Sequence, residues 1–188
     1  MPYRSQLKSY QPRTEQEKRD KANILHQIEL EGDDILHRKS RLAHITSSGF
    51  IVNKALTKTL MVHHNIYNTW AWSGGHADGE RDLLQIAIKE AKEETGIRSV
   101  TPLSEAIMSI DILTVPGHYK HGEYVSTHLH LSAAYVLIGD ENEALTIKYD
   151  ENSDVKWIPL KDMDAMSNEA EIIPVYHKLV ERARGILI

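Results

Sequence analysis

The chain has 188 residues and is 41% hydrophobic, which suits one ordinary core carrying a modest extension. Its net charge of -5 argues against a nucleic-acid partner, and no basic run marks it for an anionic membrane surface. The absence of cysteine excludes disulfides and thiolate sites, and no apolar run approaches the ~20 residues that span a bilayer, so we expect a soluble cytoplasmic protein.

The first predicted element is a helix over residues 14–30. Thr14 can cap it, and Glu17 three residues later completes the pattern of a capping box. The segment "EGDD" that follows is typical of a break between elements. We therefore predict an N-terminal helical extension over residues 1–38, packed on a main domain that spans residues 39–188.

The main domain alternates between predicted strands and two helices. Strands are predicted over residues 44–53, 59–65, 69–72, 103–115, 126–139 and 155–160, with a loop or hairpin over 116–124 and an acidic loop over 140–154. Helices are predicted over 82–95 and 168–183. This mixed order favours an α+β domain, an αβα arrangement around a mixed β-sheet.

The segment Gly74–Ile97, "GGHADGERDLLQIAIKEAKEETGI", carries the chemistry. Its two leading glycines predict a turn that lets the backbone approach a ligand closely. Glu90, Glu93 and Glu94 follow the spacing i, i+3, i+4, so they share one face near the negative end of the helix dipole. Mg²⁺ or Mn²⁺, which prefer oxygen ligands, would offset this repulsion, whereas the alternative is a solvated acidic helix end.

This segment resembles the box of the Nudix hydrolases, G-x5-E-x7-R-E-U-x-E-E-x-G-U, in which U is a bulky aliphatic residue. Gly75 matches the first glycine, and "KEAKEETGI" matches the end of the box. Two positions depart from it. Arg81 stands where the box has its first glutamate, and Lys89 stands where the box has arginine. Glu80, beside Arg81, is the alternative for the missing glutamate.

The resemblance implies a Nudix-like αβα sandwich that hydrolyses a pyrophosphate bond in a nucleoside diphosphate linked to another moiety, with Mg²⁺ or Mn²⁺ as cofactor. It implies that Glu90, Glu93 and Glu94 are the metal ligands. One glutamate, Glu90 or Glu93, is implied to orient or deprotonate the attacking water. Lys89 is implied to hold a carboxylate in place, without the bidentate fork of arginine.

Family members often add a carboxylate from a loop outside the box. Glu151, in "YDENSDVKW", is the candidate here, with Asp150 and Asp154 as neighbours. An acidic surface loop is the alternative. Gly75 and His76, at the predicted glycine turn, are the candidates for contact with a substrate phosphate.

A second cluster of polar residues lies in "GEYVSTHLH", where His128 and His130 share one face of a predicted strand. His-x-His on a strand can bind a metal, and Gly122 with this pair resembles the first half of a cupin motif. The glutamate and the second half of that motif are missing. We therefore expect substrate contact, together with His118 and His121 on the facing loop. A merely polar strand face is the alternative.

The leading hypothesis is thus a Mg²⁺-dependent Nudix pyrophosphohydrolase with a small nucleotide-type substrate and no nucleic-acid or membrane partner. A homodimer is one option for its oligomeric state. The second hypothesis is a Nudix-fold ligand-binding or regulatory module, with Arg81 and Lys89 as signs of lost catalysis, and the third is a His-x-His metalloprotein. A Nudix-like isopentenyl diphosphate isomerase is disfavoured, because those enzymes use a cysteine. The flanking segments leave the substrate unspecified.

Overall fold

The computed structural model describes residues 3–120 and 122–187. These residues form α-helices at Tyr3–Ser9 (α1), Glu15–Glu31 (α2), Leu83–Thr95 (α3), Met163–Met166 (α4) and Ile173–Leu187 (α5). Short 3₁₀ helices cover Gly32–Leu36 and Leu160–Asp162. Within the described residues, no helix has both the length and the apolar character needed to cross a membrane.

The strands are Ala43–Asn53 (β1), Lys58–His64 (β2), Thr69–Ala71 (β3), Ser73–His76 (β4), Val100–Pro102 (β5), Ser109–Val115 (β6), His118–Lys120 (β7), Glu123–Val125 (β8), His128–Gly139 (β9) and Asn152–Pro159 (β10). Eight of them form one sheet with the central order β10-β2-β1-β9-β5. In that sheet β3 pairs with β2, β4 with β1, and β6 with β9. Strands β7 and β8 form a separate hairpin.

The central pair β1 and β9 runs parallel, from Ala43 opposite Leu129 to Asn53 opposite Gly139. The other strand pairs are antiparallel. The sheet is therefore mixed, which confirms the predicted α+β class with helices ahead of the domain.

Alternating residues of β1 face two different hydrophobic cores, as strand geometry requires. Ile45 and Ile51 pack in the core that contains residues of α1, α2 and α3. Phe50 and Val52 pack in the core that contains Tyr176 of α5. Helices thus cover both faces of the sheet, and each face carries its own core.

Helix α2 begins as predicted, because the side chain of Thr14 accepts a hydrogen bond from the backbone N–H of Glu17. The carboxylate of Glu17 does not return to the cap. It is buried and accepts hydrogen bonds from Arg182 (2.9 Å), Tyr10 (2.6 Å) and the backbone N–H of Arg13 (2.8 Å). This ion pair joins α2 to α5. We propose that residues 1–38 are an extension that completes the core of a domain spanning 39–188.

The predicted turn at Gly74 and Gly75 is wrong, because both glycines lie in strand β4. They pair with Ser48 and Ser47 of β1. The sequence also missed α1 and β5, because these elements are too short to display a recognisable periodicity of apolar residues. The last helix begins at Ile173 rather than at residue 168. Of the strand predicted over 103–115, only the second half forms a strand, β6.

Candidate active site

Helix α3 has the predicted ends. Asp82 accepts a hydrogen bond from the backbone N–H of Gln85 at 3.2 Å, which caps the first turn. Gly96 has a φ of 71°, the left-handed conformation that ends helices, and its N–H donates to the carbonyl of Lys92. The hydroxyl of Ser47 reaches the carbonyl of Leu83 at 2.6 Å and so ties the start of the helix to β1.

Gly75 of β4 allows helix α3 to lie close to the sheet, and Gly74 allows Ser48 of β1 to lie close to β4. A Cβ placed on Gly75 would collide with the carboxylate of Glu90, and one on Gly74 would collide with Ser48. Glu90 therefore points at the strand rather than at solvent. Burial and the charge of Glu93 raise the pKa of Glu90.

Glu94 is the most enclosed of the three box glutamates, with 6% of its surface exposed. It accepts a hydrogen bond from the backbone N–H of Gly74 at 2.9 Å and a longer one from Asn152 at 3.4 Å. Burial raises the pKa of Glu94 to about 8. No cationic side chain among the described residues forms an ion pair with Glu94. An enclosed carboxylate of this kind fits a hard divalent cation as its partner.

Glu93 and Glu151 differ in their surroundings. Glu93 lies on the exposed side of α3. Glu151 forms an ion pair with Lys148 at 2.8 Å, and its charge raises the pKa of both Glu90 and Glu94. Glu151 therefore lies close enough to Glu90 and Glu94 for its charge to act on both carboxyl groups.

Lys89 pairs with Glu80, with 3.2 Å between Nζ and Oε1. Both side chains are about half exposed, and the hydrogen bond with Glu80 raises the pKa of Lys89. The guanidinium of Arg81 pairs instead with Asp33, which also pairs with Arg4 at 2.9 Å. Glu80 is thus the glutamate that meets the lysine, while Arg81 ties the box to the N-terminal extension.

Beside this site, the structure gathers a quartet of histidines, His44, His76, His128 and His130, whose ligand atoms all lie within 4.8 Å of one another. Ring centroids are 4.9 Å apart for His44 and His76, and 5.2 Å apart for His128 and His130. The sequence had suggested His76, His128 and His130 as substrate contacts but missed His44. His121, which was expected beside them, lies outside the described residues.

Arg38 is a second residue that the sequence missed. It forms a two-point pair with Asp78, at 3.0 and 2.7 Å. Burial together with the positive charge of Arg38 lowers the pKa of His76 to about 3. Burial and the neighbouring histidines lower the pKa of His130 to about 2. These rings are therefore neutral near pH 7, and Arg38 stands as a cation close to the site.

Three comparisons with known proteins bear on this arrangement. A NUDIX domain model matches residues 43–179. The structure of a C. elegans Ap4A hydrolase binary complex is 19% identical over 75% of this chain and 98% of that one, with a TM-score of 0.54. A NUDIX-family hydrolase from Clostridium perfringens is 24% identical over 73% and 96%, with a TM-score of 0.52. The E. coli dihydroneopterin triphosphate pyrophosphohydrolase is 15% identical over 73% and 94%, with a TM-score of 0.53. No curated protein sequence matches the chain.

Proposed function

We propose, since this chain belongs to the NUDIX family, that it is a Mg²⁺-dependent pyrophosphohydrolase acting on a nucleoside diphosphate linked to another moiety. The observation that carries the proposal is the position of the buried carboxylate of Glu94 and the half-buried carboxylate of Glu90, which helix α3 holds against the glycines of β4. Burying such groups is costly unless a cation compensates them.

The proposed ligands are Glu90, Glu93, Glu94 and Glu151. Mg²⁺ or Mn²⁺ bound by them would neutralise phosphate oxygens and lower the pKa of a coordinated water. The N–H of Gly74 holds one oxygen of Glu94, which orients this carboxylate before the ion arrives. We assign to Glu90 and Glu93 the task of orienting and deprotonating the attacking water, and Glu93, which faces solvent, can pass the proton on.

The substrate would be a small nucleotide whose phosphates lie beside the end of β4. The carboxylate of Glu90 covers Gly75, so the positive charge that suits phosphate oxygens at this end of the strand comes from Arg38. His76, His128 and His130 border the same end of the strand. The pair formed by Lys89 and Glu80 would steady the segment that leads into helix α3.

The test is a screen for phosphate release in the presence of Mg²⁺, over nucleotide sugars, dinucleotides and nucleoside triphosphates. Glu93→Gln and Glu94→Gln should each lower turnover by at least ~10²-fold, because each removes a charged ligand. Glu181→Gln, an exposed glutamate of α5, is the matched control and should turn over as the parent does. Near-parental turnover in both box variants would overturn the assignment, and nucleotide binding without turnover by the parent would favour a binding module.

Glu151 has its own test, because its loop lies outside the box. Glu151→Gln should weaken Mg²⁺ affinity or turnover while leaving the melting temperature of the metal-free protein nearly unchanged. The control is Asp150→Asn in the same loop. If Glu151→Gln kept a normal Mg²⁺ dependence, Asp150 would become the candidate or the loop would supply no ligand.

A further inference from the structure

The histidine quartet lies on the face of the sheet opposite helix α3. Gly75 faces α3, so its neighbour His76 points to the other face, because successive strand residues alternate. His44 of β1 pairs with His130 of β9 in the parallel register, and His128 lies two residues earlier on the same side. The quartet is therefore separate from the glutamates, and its residues lie on three adjacent strands, β4, β1 and β9.

Two of the four rings are held in the tautomer that leaves Nε2 free. Nδ1 of His44 lies 3.0 Å from the carbonyl oxygen of Ser40, and Nδ1 of His128 lies 2.8 Å from that of Ser126. A carbonyl oxygen only accepts hydrogen bonds, so Nδ1 carries the proton in both rings. A backbone carbonyl that orients a histidine in this way is the usual outer contact of a metal ligand.

Two ring nitrogens of the quartet have no hydrogen-bond partner in the part of the chain that the structure describes, and one of them is the freed Nε2 of His44. Nε2 of His44 and Nε2 of His130 are both buried and unpaired. His44 is only 4% exposed, so water does not supply the missing contact from bulk. Nearly all buried polar atoms find a partner, and an unpaired one costs about 1–3 kcal/mol. Two such atoms in one cluster indicate a ligand between them.

We propose that His44, His76, His128 and His130 bind one divalent transition-metal ion of the zinc type, at a second site distinct from the carboxylates of α3. Four neutral nitrogen donors suit Zn²⁺ or its neighbours in the first row and do not suit Mg²⁺. A tetrahedral Zn²⁺ separates its ligand nitrogens by about 3.4 Å. The ligand atoms here lie within 4.8 Å of one another, so small side-chain rotations would close the site.

Four histidines can fill every position of a tetrahedral ion, which makes the site a closed, structural one. The ion would join β1, β4 and β9 at one end of the sheet. Because β4 also carries the glycines beneath Glu90 and Glu94, the ion would hold in place the strand against which those carboxylates pack. A cluster of neutral histidines without an ion is the competing explanation.

The experiment measures metal content and stability rather than hydrolysis, so its result is independent of the proposed activity. The full chain is stripped with a chelator and titrated with Zn²⁺ alone, and bound Zn²⁺ is counted per chain. Titration with Co²⁺ provides a second readout, because tetrahedral Co²⁺ absorbs visible light far more strongly than octahedral Co²⁺. We expect one tightly bound Zn²⁺, a higher melting temperature on binding, and the tetrahedral Co²⁺ spectrum.

The same measurements are made on three variants. Glu93→Gln/Glu94→Gln should keep the tightly bound Zn²⁺, whereas His128→Gln/His130→Gln should lose it together with the Co²⁺ spectrum. His26→Gln replaces an exposed histidine of α2 and should behave as the parent. The melting temperature of each chelated variant checks its folding, and His76→Asn, at the end of β4, replaces the double variant if that one fails to fold. Absence of the Zn²⁺ from the parent, or its retention in the His128 and His130 variant, would overturn the proposal.

Discussion

Gly75 of strand β4 lies directly beneath Glu90 of helix α3, so close that a methyl group on position 75 would occupy the space of the carboxylate. The glycine is required by this contact and not by a turn, since β4 is extended there and pairs with β1. The close approach of strand and helix brings the carboxylates of Glu90 and Glu94 together against β4.

Gly75→Ala should therefore disturb both packing and metal binding. We expect a loss of about 1–3 kcal/mol in the free energy of unfolding, as overpacking usually costs, together with weaker Mg²⁺ binding as Glu90 is displaced. Denaturant unfolding and a Mg²⁺ titration measure the two effects. Gly185→Ala in α5 is the matched control, because a Cβ there meets nothing within 4 Å. The control should be neutral or stabilise by up to about 1 kcal/mol, and equal effects in both variants would contradict the explanation.

Glu94 should make the metal-free protein less stable as the pH rises. Its pKa is raised from 4.5 to about 8, chiefly by burial, so the folded protein binds a proton that the unfolded chain releases. That contribution is present below pH 4.5 and is lost as the pH rises through 8. We expect the melting temperature of chelated protein to fall between pH 5 and 8. Glu94→Gln should remove this slope, and an unchanged slope in the variant would assign it to another group.

Glu17 should be a large contributor to stability, because it lies buried against Arg182. Glu17→Gln should cost about 3 kcal/mol or more, since Arg182 would remain buried with its charge uncompensated. Glu15→Gln, two residues away on the exposed side of α2, is the control and should change stability by less than about 0.5 kcal/mol. Urea denaturation of the two variants makes the comparison. A small effect for Glu17→Gln would contradict the large contribution assigned to the ion pair with Arg182.

The same pair predicts how acid affects the protein. Burial alone would raise the pKa of Glu17, but hydrogen bonds from Arg182 and Tyr10 outweigh it and lower the pKa to about 2. The stabilisation is therefore complete above the unfolded value of 4.5 and is lost as the pH falls through 2. In an acid-unfolding experiment, the Glu17→Gln variant should lack the part of the loss of stability that protonation of Glu17 causes in the parent.

The ion pair between Lys89 and Glu80 should make a small, shared contribution to turnover. Both side chains are about half exposed and screened by solvent, so their coupling should change turnover by no more than roughly 5-fold. A double-mutant cycle with Lys89→Met and Glu80→Gln measures it, and the double variant should be no worse than the poorer single variant. Additive losses would show that Lys89 has another partner. Lys89→Arg should preserve activity, because the charge remains.

The local features of the chain were predictable because their causes lie within a few residues. The caps at Thr14 and Asp82 and the left-handed end at Gly96 involve only neighbours along the helix. The hairpin after β6 and the long strand β9 follow from turn residues and apolar runs. The glycine strand β4 was not predictable in this way, because contacts distant in sequence favour its two glycines: Gly75 packs against Glu90 of α3, and Gly74 against Ser48 of β1.

By itself, then, the sequence determined the α+β class, the helix that carries Glu90, Glu93 and Glu94, and the membership in a family. These three conclusions depend on periodicity, helix capping and a contiguous motif, and each of these features lies within a short stretch of the chain. The tertiary structure alone decided that Glu17 meets Arg182 and that His44 joins His130. The members of each pair are far apart in the chain, and no local pattern links them. The sheet brings His44 and His130 together through the parallel register of β1 and β9, and α2 and α5 bring Glu17 to Arg182 through their shared packing.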